Sequence, residues 1–249
     1  PYIRYGLMML SLSKALNCSV GGMLVEQIRL AWDTLCRVAL VNAVDDEIQH
    51  SAQAISSAPH AELLFLAANH GLLPRLADVV GLAAGAAGLP SRIERQLAEL
   101  LWTNRHSVEV HAQEALALSE ALRNAGIDCV FTKGIILQAL IYGGRGGRKL
   151  SDIDLMTAPD SADAVKKILA ERNFSIGSFY DRYTSQIRPI SRESKAIYRL
   201  YNDHLPHAVK LTDSGVPPYV DVDVALSLTW ARSDWQVPMD ICLEESEQI

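Results

Sequence analysis

The sequence predicts an α+β protein, with an N-terminal helical bundle followed by a small mixed β-sheet flanked by helices. Two patterns support this fold class. Apolar residues recur at helical spacing from about Gly22 to Asn124. Beyond that point, short β-branched segments alternate with helical ones, an order typical of a mixed sheet covered by helices. Glycine and proline separate most of these segments, as expected for the turns between elements.

Composition narrows the class of protein. The chain has 249 residues, 49% of them hydrophobic, which suffices for one large or two modest packed domains. Its net charge of −6 does not favour a long nucleic-acid surface, which needs an excess of cations. No apolar run is long enough for a membrane span. The scattered cysteines are interpreted as reduced, buried thiols of a cytoplasmic protein, namely Cys18, Cys36, Cys129 and Cys242.

The first half of the chain is predicted to be helical. Residues 1–21 are interpreted as a lead segment, and residues 22–126 as the helical domain. Helices are predicted from about Gly22, from Asp45 to Ser57, from Pro59, from Pro74, and from Ser91 to Asn124. Four histidines here have no metal-ligand spacing and are interpreted as capping, packing and surface residues: His60, His70, His106 and His111.

Residues 127–249 are predicted to form the sheet domain, organised around the stretch from Cys129 to Met156. Cys129–Thr132 reads as a strand, after which Lys133-Gly134 opens a helix. The apolar residues predicted to cover the sheet from this helix are Ile135, Ile136, Ala139, Leu140 and Ile141. Four glycines, Gly143, Gly144, Gly146 and Gly147, then free the backbone to bend closely around a ligand, before a strand from Leu150 to Met156.

Two carboxylates mark that last strand. Asp152 and Asp154 lie at i and i+2, so they share one face and repel each other unless a cation lies between them. Mg²⁺, with Mn²⁺ as an alternative, suits a carboxylate pair together with phosphate oxygens. The preceding segment offers a helix start and several cations for those phosphates. The candidate nucleotide-binding residues are Lys133, Gly134, Arg148, Lys149 and Ser151.

This stretch resembles a known family. K-G, a helix ending in Tyr142, and R-x-x-x-D-I-D-L from Arg148 to Leu155 are similar to the nucleotidyltransferase superfamily that includes DNA polymerase β. Within it, the closest resemblance is to the branch of uncharacterised nucleotidyltransferases. The segment from Leu63 to Leu76 resembles the helical stretch that precedes the core in that branch. Many superfamily members have Gly-Ser where this chain has Lys133-Gly134.

The rest of the chain is predicted to complete the sheet. A helix from Ser161 to Arg172, capped by Asp160 or Ser161, follows the carboxylate strand. Residues 173–201 are predicted to hold a short strand or two and substrate-side loops. Their tyrosines are candidates for stacking on a base, although packing is the simpler interpretation: Tyr180, Tyr183, Tyr198 and Tyr201.

A third carboxylate is expected on the strand from Tyr219 to Leu228, which follows a strand from His207 to Leu211. Asp221 and Asp223 lie on one face of it. The resemblance favours Asp221 as the catalytic residue, since Asp223 stands where the branch commonly has His. The alternative is an edge strand protected by charges. His207 and Lys210 are candidates for contacts with phosphate.

The resemblance implies a Mg²⁺-dependent enzyme, of the 2.7.7 type, that moves a nucleoside monophosphate from a triphosphate such as ATP. The acceptor would be a hydroxyl, a phosphate or a similar group, and pyrophosphate would leave. Asp152, Asp154 and Asp221 would be catalytic, with Asp223 as a further metal ligand. Two alternatives stay open: a degenerate nucleotide-binding scaffold, and a toxin-like enzyme that modifies protein or an RNA end. Trp230 and Trp235 are interpreted as packing residues of a core truncated at its C-terminus.

Overall fold

The computed structural model describes residues 19–40, 45–201, 203–229, 233–235, 237–244 and 246. The expectations for residues 1–18, including Cys18, and for Trp230 lie outside the described residues. The chain divides into two compact units, Pro1–Trp102 and Thr103–Ile249. The predicted domain limit between residues 126 and 127 stays a prediction.

The first unit is helical. Its elements are α1 (Ser19–Leu40), α2 (Asp45–Ser57), α3 (His60–Asn69), α4 (Leu73–Leu82) and the first part of α5 (Ser91–Asn124). Their buried residues follow helical spacing, as Ala31, Leu35 and Val38 do on α1. These side chains form one core with Ile55 and Leu63. The predicted helix limits are therefore confirmed to within about three residues, the largest difference being at the start of α1.

The second unit contains a five-stranded mixed sheet. In chain order its strands are β1 (Cys129–Thr132), β2 (Ile153–Thr157), β3 (Ser175–Ile176), β6 (Ala208–Leu211) and β7 (Tyr219–Ala225), while β4 (Ser178–Asp181) and β5 (Gln186–Pro189) form a separate hairpin. The spatial order is β1-β2-β7-β6-β3, and of these neighbours β2 and β7 are parallel. The predicted α+β class is thus confirmed.

Helices flank this sheet, and the first three of them contribute residues to its core. They are the second part of α5, then α6 (Lys133–Leu140), α7 (Ala162–Glu171), α8 (Arg192–Leu200) and α9 (Met239–Glu244). Leu118 and Leu122 of α5 pack in the same cluster as Ile153, Leu155 and the buried valines of β7. The side chains of β7 alternate between buried and half-buried, so its valines face the core and its aspartates face away.

Several sequence-based expectations are corrected. The carboxylate strand begins at Ile153 rather than Leu150, so Asp152 lies just before it. On α6, Ile135 is buried but Leu140 and Ile141 are each 62% exposed, because the eight-residue helix ends before its last turn reaches the sheet. Segment 192–200, expected to lie in loops, is the helix α8.

Two smaller expectations also fail. Neither Asp160 nor Ser161 caps α7 with its side chain, because a 3₁₀ turn, Pro159–Ser161, leads into the helix and gives Ser161 a helical backbone. Cys36, Cys129 and Cys242 are free thiols as expected, but none of them is fully buried, since Cys36 is exposed and the other two are half-buried. None of the described helices combines the length and the apolarity that a membrane crossing requires.

Candidate active site

Four carboxylates meet on two neighbouring parallel strands. In the register of β2 and β7, Asp154 lies directly opposite Asp223. Two residues earlier on each segment stand Asp152, just before β2, and Asp221 of β7, so that a second acidic pair lies beyond the apolar pair Ile153 and Val222. Because neighbouring strands are about 4.8 Å apart, each acidic pair brings two carboxylates close enough to share a cation.

The acidic pair that contains Asp154 is the more buried one, and Asp154 is bonded to a lysine. Asp154 is 6% exposed, and its Oδ1 accepts a hydrogen bond of 2.5 Å from Nζ of Lys133. Burial raises the pKa of Asp154, the bond from Lys133 opposes this, and the charges of Asp152 and Asp223 raise it further. The same bond raises the pKa of Lys133. This face therefore holds more negative charge than its own cation balances.

A histidine faces the carboxylates of β7. His207, just before β6, donates from Nδ1 to Oδ1 of Asp221 at 3.1 Å, and its Nε2 lies 3.8 Å from Oδ1 of Asp223. The hydrogen bond to Asp221 raises the pKa of His207, against the effect of burial. Oδ1 of Asp223 is buried and has no hydrogen-bond partner among the described residues. Asp223 thus presents an unsatisfied anionic oxygen to the site.

A second histidine, His111 of α5, lies close to the other acidic pair. It is 2% exposed, and its Nδ1 donates to the carbonyl of Ser107 at 2.7 Å. Burial lowers the pKa of His111, while the charges of Asp152 and Asp221 act in the opposite direction. The neutral ring then has an acceptor at Nε2, which is buried and has no partner in the described part of the chain. The sequence favours a capping, packing or surface role for His111, which has no metal-ligand spacing, and only the folded chain brings this ring near the carboxylates.

The start of α6 adjoins the carboxylates. Lys133 is the first residue of this helix and has a φ of 52°, in the left-handed region that side chains rarely adopt. No side chain caps the helix at Thr132, so its first backbone N–H groups are available to an anion. A Cβ on Gly134 would lie 2.9 Å from Cδ2 of Leu150, which explains the glycine by close packing.

The glycine loop is held by neighbouring elements of its own unit. The side-chain amide of Asn104 donates to the carbonyls of Gly146 and Arg148 at 2.6 and 2.9 Å, and that of Gln138 also donates to Arg148. A Cβ on Gly146 would lie 2.9 Å from the backbone of Arg105. The close approach that this glycine permits is therefore to α5, where the sequence analysis expected a ligand.

The other residues predicted to bind the nucleotide or its phosphates differ in their surroundings. Arg148 and Lys149 are exposed beside the site. The hydroxyl of Ser151 donates to Oδ1 of Asp152 at 2.8 Å, so Ser151 positions a carboxylate. Lys210 donates to Glu114 of α5 and lies 4.9 Å from the centre of the Phe174 ring, which turns it away from a phosphate-binding role.

The candidate tyrosines separate into different environments. Tyr183 is fully exposed, and Tyr180 stacks on Tyr219 with ring centres 4.6 Å apart. Tyr198 of α8 is half-buried and hydrogen-bonds to the backbone of His207. Burial raises the pKa of Tyr198, and the charges of Asp223 and Asp221 raise it further. Tyr198 is thus the one of these three that adjoins the carboxylates.

The residues present fit a divalent cation in chemistry. Hard cations such as Mg²⁺ prefer carboxylate oxygens, and Asp223 offers a buried one without a partner. Among the described residues, no three side chains of His, Cys, Asp or Glu already form a metal-ligating group. Lys133 and His207 instead pair with Asp154 and Asp221, where they supply part of the positive charge that a cation would bring.

The fold and the site together define a class. A mixed sheet with D-x-D on one strand, further aspartates on its parallel neighbour and K-G at a helix start resembles a nucleotidyltransferase core. The chain matches the family described as uncharacterised nucleotidyltransferase over residues 56–246, and it belongs to that family. No curated protein and no solved structure matches the chain.

Proposed function

We propose that this protein transfers a nucleoside monophosphate from a nucleoside triphosphate to an acceptor. The observation that carries the proposal is the opposition of Asp154 and Asp223 across parallel strands, next to the uncapped start of α6. Phosphate-binding donors and cation-binding carboxylates then lie in one unit of the chain. Family membership supports the nucleotidyl part of this reaction.

The residues have distinct roles in the proposed reaction. The backbone N–H groups at the start of α6 donate hydrogen bonds to the triphosphate, and Lys133 supplies a positive charge beside it. Asp152, Asp154 and Asp223 would hold Mg²⁺ or Mn²⁺, which when bound neutralises the carboxylates and the phosphate oxygens. His207 orients Asp221 through its hydrogen bond. In this proposal a carboxylate oxygen of Asp221 accepts the proton of the acceptor hydroxyl.

The register favours Asp223 as the partner of Asp154, whereas the sequence resemblance favoured Asp221. Asp221 already accepts a hydrogen bond from His207, but Oδ1 of Asp223 accepts none among the described residues. We therefore assign Asp223 to the cation and Asp221 to proton transfer. Both carboxylates are kept on one face by the alternation of β7.

Thermal unfolding in the presence of nucleotide tests the proposal. ATP, CTP, GTP and UTP are each added with and without Mg²⁺ to the wild type and to Asp152→Asn/Asp154→Asn. A ligand at 100 times its Kd stabilises by about 2.7 kcal/mol, a rise in Tm of about 5–10 °C for a chain of this size. We expect that rise for at least one nucleotide, with Mg²⁺, in the wild type only.

The matched control is Asp128→Asn/Asp213→Asn, which makes the same charge change at two exposed positions of the same unit. It should retain the full rise in Tm. Pyrophosphate release gives a second readout. Undiminished release by a folded Asp152→Asn/Asp154→Asn variant would sink the assignment of the site.

A further inference from the structure

A cavity of about 620 Å³ opens in the sheet unit between α7, α8 and the segment before β6. Part of its wall is apolar, from Ile176, Leu205 and Leu226. Cavities of 300–1,000 Å³ with mixed apolar and polar walls typically take one small molecule. Tyr198, a candidate from the sequence for stacking on a base, lines this cavity, but none of the predicted catalytic, metal-binding or nucleotide-binding residues does.

The polar part of the wall is cationic. Lys166 of α7 and Lys195 and Arg199 of α8 line the cavity, and none of its lining residues within the described part of the chain is Asp or Glu. This is unusual in a chain whose acidic residues outnumber its basic ones by 29 to 23. The cavity therefore has a local charge opposite to that of the chain as a whole.

The three cations are only weakly neutralised. Nζ of Lys166 lies 2.8 Å from Oδ1 of Asp163, but that carboxylate is 95% exposed and competes with water. Lys195 and Arg199 form no ion pair with any residue that the structure describes. They stand at i and i+4 on α8, so they share a face and repel each other. An anion bound between them would remove this repulsion.

Tyr198 connects the cavity to the carboxylates. It lies between Lys195 and Arg199 in sequence and lines the same cavity. It hydrogen-bonds to the backbone of His207, the residue whose ring donates to Asp221 at 3.1 Å. Tyr198 thus contacts both the cavity and the residue whose ring is paired with Asp221.

We propose that this cavity is the acceptor subsite and that it binds a small acceptor carrying a phosphate monoester. The dianionic phosphate would contact Lys166, Lys195 and Arg199, and the apolar wall would contact the body of the molecule. Three cations match a phosphate with its three terminal oxygens better than a carboxylate with two. This proposal rests on the proposed nucleotidyl transfer, for which it specifies the class of acceptor.

The reaction at the subsite balances as follows. The acceptor hydroxyl oxygen forms a bond to the α-phosphorus of the nucleotide. The bond between that phosphorus and the oxygen bridging to the β-phosphate breaks, and its electron pair leaves with pyrophosphate. The hydroxyl proton passes to Asp221 and then to solvent. The phosphate held by Lys195 and Arg199 takes no part in the bond changes.

The test measures binding of phenyl phosphate by calorimetry, without nucleotide or metal and at constant ionic strength. The proteins are the wild type, Lys195→Gln/Arg199→Gln, and the control Lys167→Gln/Arg192→Gln. The control removes the same total charge, one cation from α7 and one from α8, at residues that do not line the cavity. Lys167 and Arg192, the two residues replaced in the control, are exposed. Thermal unfolding without ligand checks that each variant is folded.

We expect saturable binding by the wild type and the control, and a loss of at least tenfold in affinity for Lys195→Gln/Arg199→Gln. Equal binding of phenyl phosphate by all three proteins would overturn the proposal. So would a wild type that binds benzoate but does not bind phenyl phosphate. The proposal would also be overturned if Lys195→Gln/Arg199→Gln bound nucleotide more weakly but phenyl phosphate as tightly as the wild type. The cavity would then bind the nucleotide donor rather than the acceptor. The probe binds without nucleotide, so this result is independent of whether the Asp152→Asn/Asp154→Asn test supports transfer.

Discussion

Asp154 lies directly opposite Asp223 in the parallel pairing of β2 and β7, with Lys133 bonded to the first and no hydrogen bond to Oδ1 of the second. Two carboxylates at this separation on one face are unfavourable in the absence of a cation. The protein keeps them together by burying the neighbouring residues Leu155 and Val224 in its core. The stability of the fold thus supports an arrangement that electrostatics alone opposes.

Replacement of Asp154 by Asn should stabilise the free protein at neutral pH. The folded-state pKa of Asp154 is raised, chiefly by burial, so ionisation destabilises the fold above that pKa. The advantage of Asp154→Asn should shrink as the pH falls towards the unfolded pKa of about 3.9. Urea unfolding of both proteins between pH 3.5 and 8 in EDTA measures this difference in unfolding free energy. A variant less stable than the wild type at pH 7 would contradict the assignment of charge repulsion.

Asp221→Asn and Asp223→Asn should differ in their effect on ligand binding. Asp223→Asn removes the oxygen assigned to the cation, and nucleotide-dependent stabilisation with Mg²⁺ should be lost. Asp221→Asn retains an oxygen that accepts from His207 and should keep most of that stabilisation. Both variants should lose about 100-fold or more in turnover. Thermal unfolding with nucleotide and Mg²⁺ measures the stabilisation of each variant, and pyrophosphate release measures its turnover.

His207 should make stability depend on pH in a defined direction. Its folded pKa is raised, mainly by the hydrogen bond to Asp221, so its contribution is fully present below the unfolded pKa of about 6.5. That contribution should be lost as the pH rises through the folded pKa. The difference in unfolding free energy between wild type and His207→Gln, measured from pH 5.5 to 9 in EDTA, should therefore decrease with pH. A difference that grows with pH would be inconsistent with this pairing.

His111 should act in the opposite sense. Burial lowers its folded pKa, so the unfolded chain binds a proton before the folded chain does. The stability associated with the neutral ring should be present above about pH 6.5 and decline as the pH falls from there. The unfolding free energy of His111→Gln should show a weaker decline than that of the wild type between pH 7 and 5. NMR titration of the ring should give a pKa below the ordinary histidine value of about 6.5, and a higher value would contradict the burial argument.

Gly146→Ala should destabilise the fold more than Gly144→Ala. Both glycines have positive φ, 80° and 67°, so each substitution strains the backbone by about 1–2 kcal/mol. A Cβ at Gly146 would also meet the backbone of Arg105 at 2.9 Å, whereas nothing lies within 4 Å of one at Gly144. The extra overpacking should cost about 1–3 kcal/mol. Chemical unfolding of the pair measures this difference, and equal losses would show that the loop moves away from α5.

Local patterns predicted much of the fold. β1 has the predicted limits Cys129–Thr132, and α2 the predicted limits Asp45–Ser57, because β-branched runs and helix boundaries leave signals within a few residues. α8 was missed although it carries a helix-start signal, in which the hydroxyl of Ser191 accepts from the backbone N–H of Ser194 at its N-terminus. The exposed end of α6 was misread because apolar spacing does not show where a helix leaves the sheet.

The sequence by itself determined the fold class, the family and the motif residues Lys133, Gly134, Asp152 and Asp154, because these depend on neighbours along the chain. Only the tertiary structure decided that Asp223 faces Asp154, that His111 and His207 adjoin the carboxylates, and that Lys166 of α7 joins Lys195 and Arg199 around one cavity. Strand register and helix packing set those distances. They arise from burial of residues far apart in the chain, which no local pattern records.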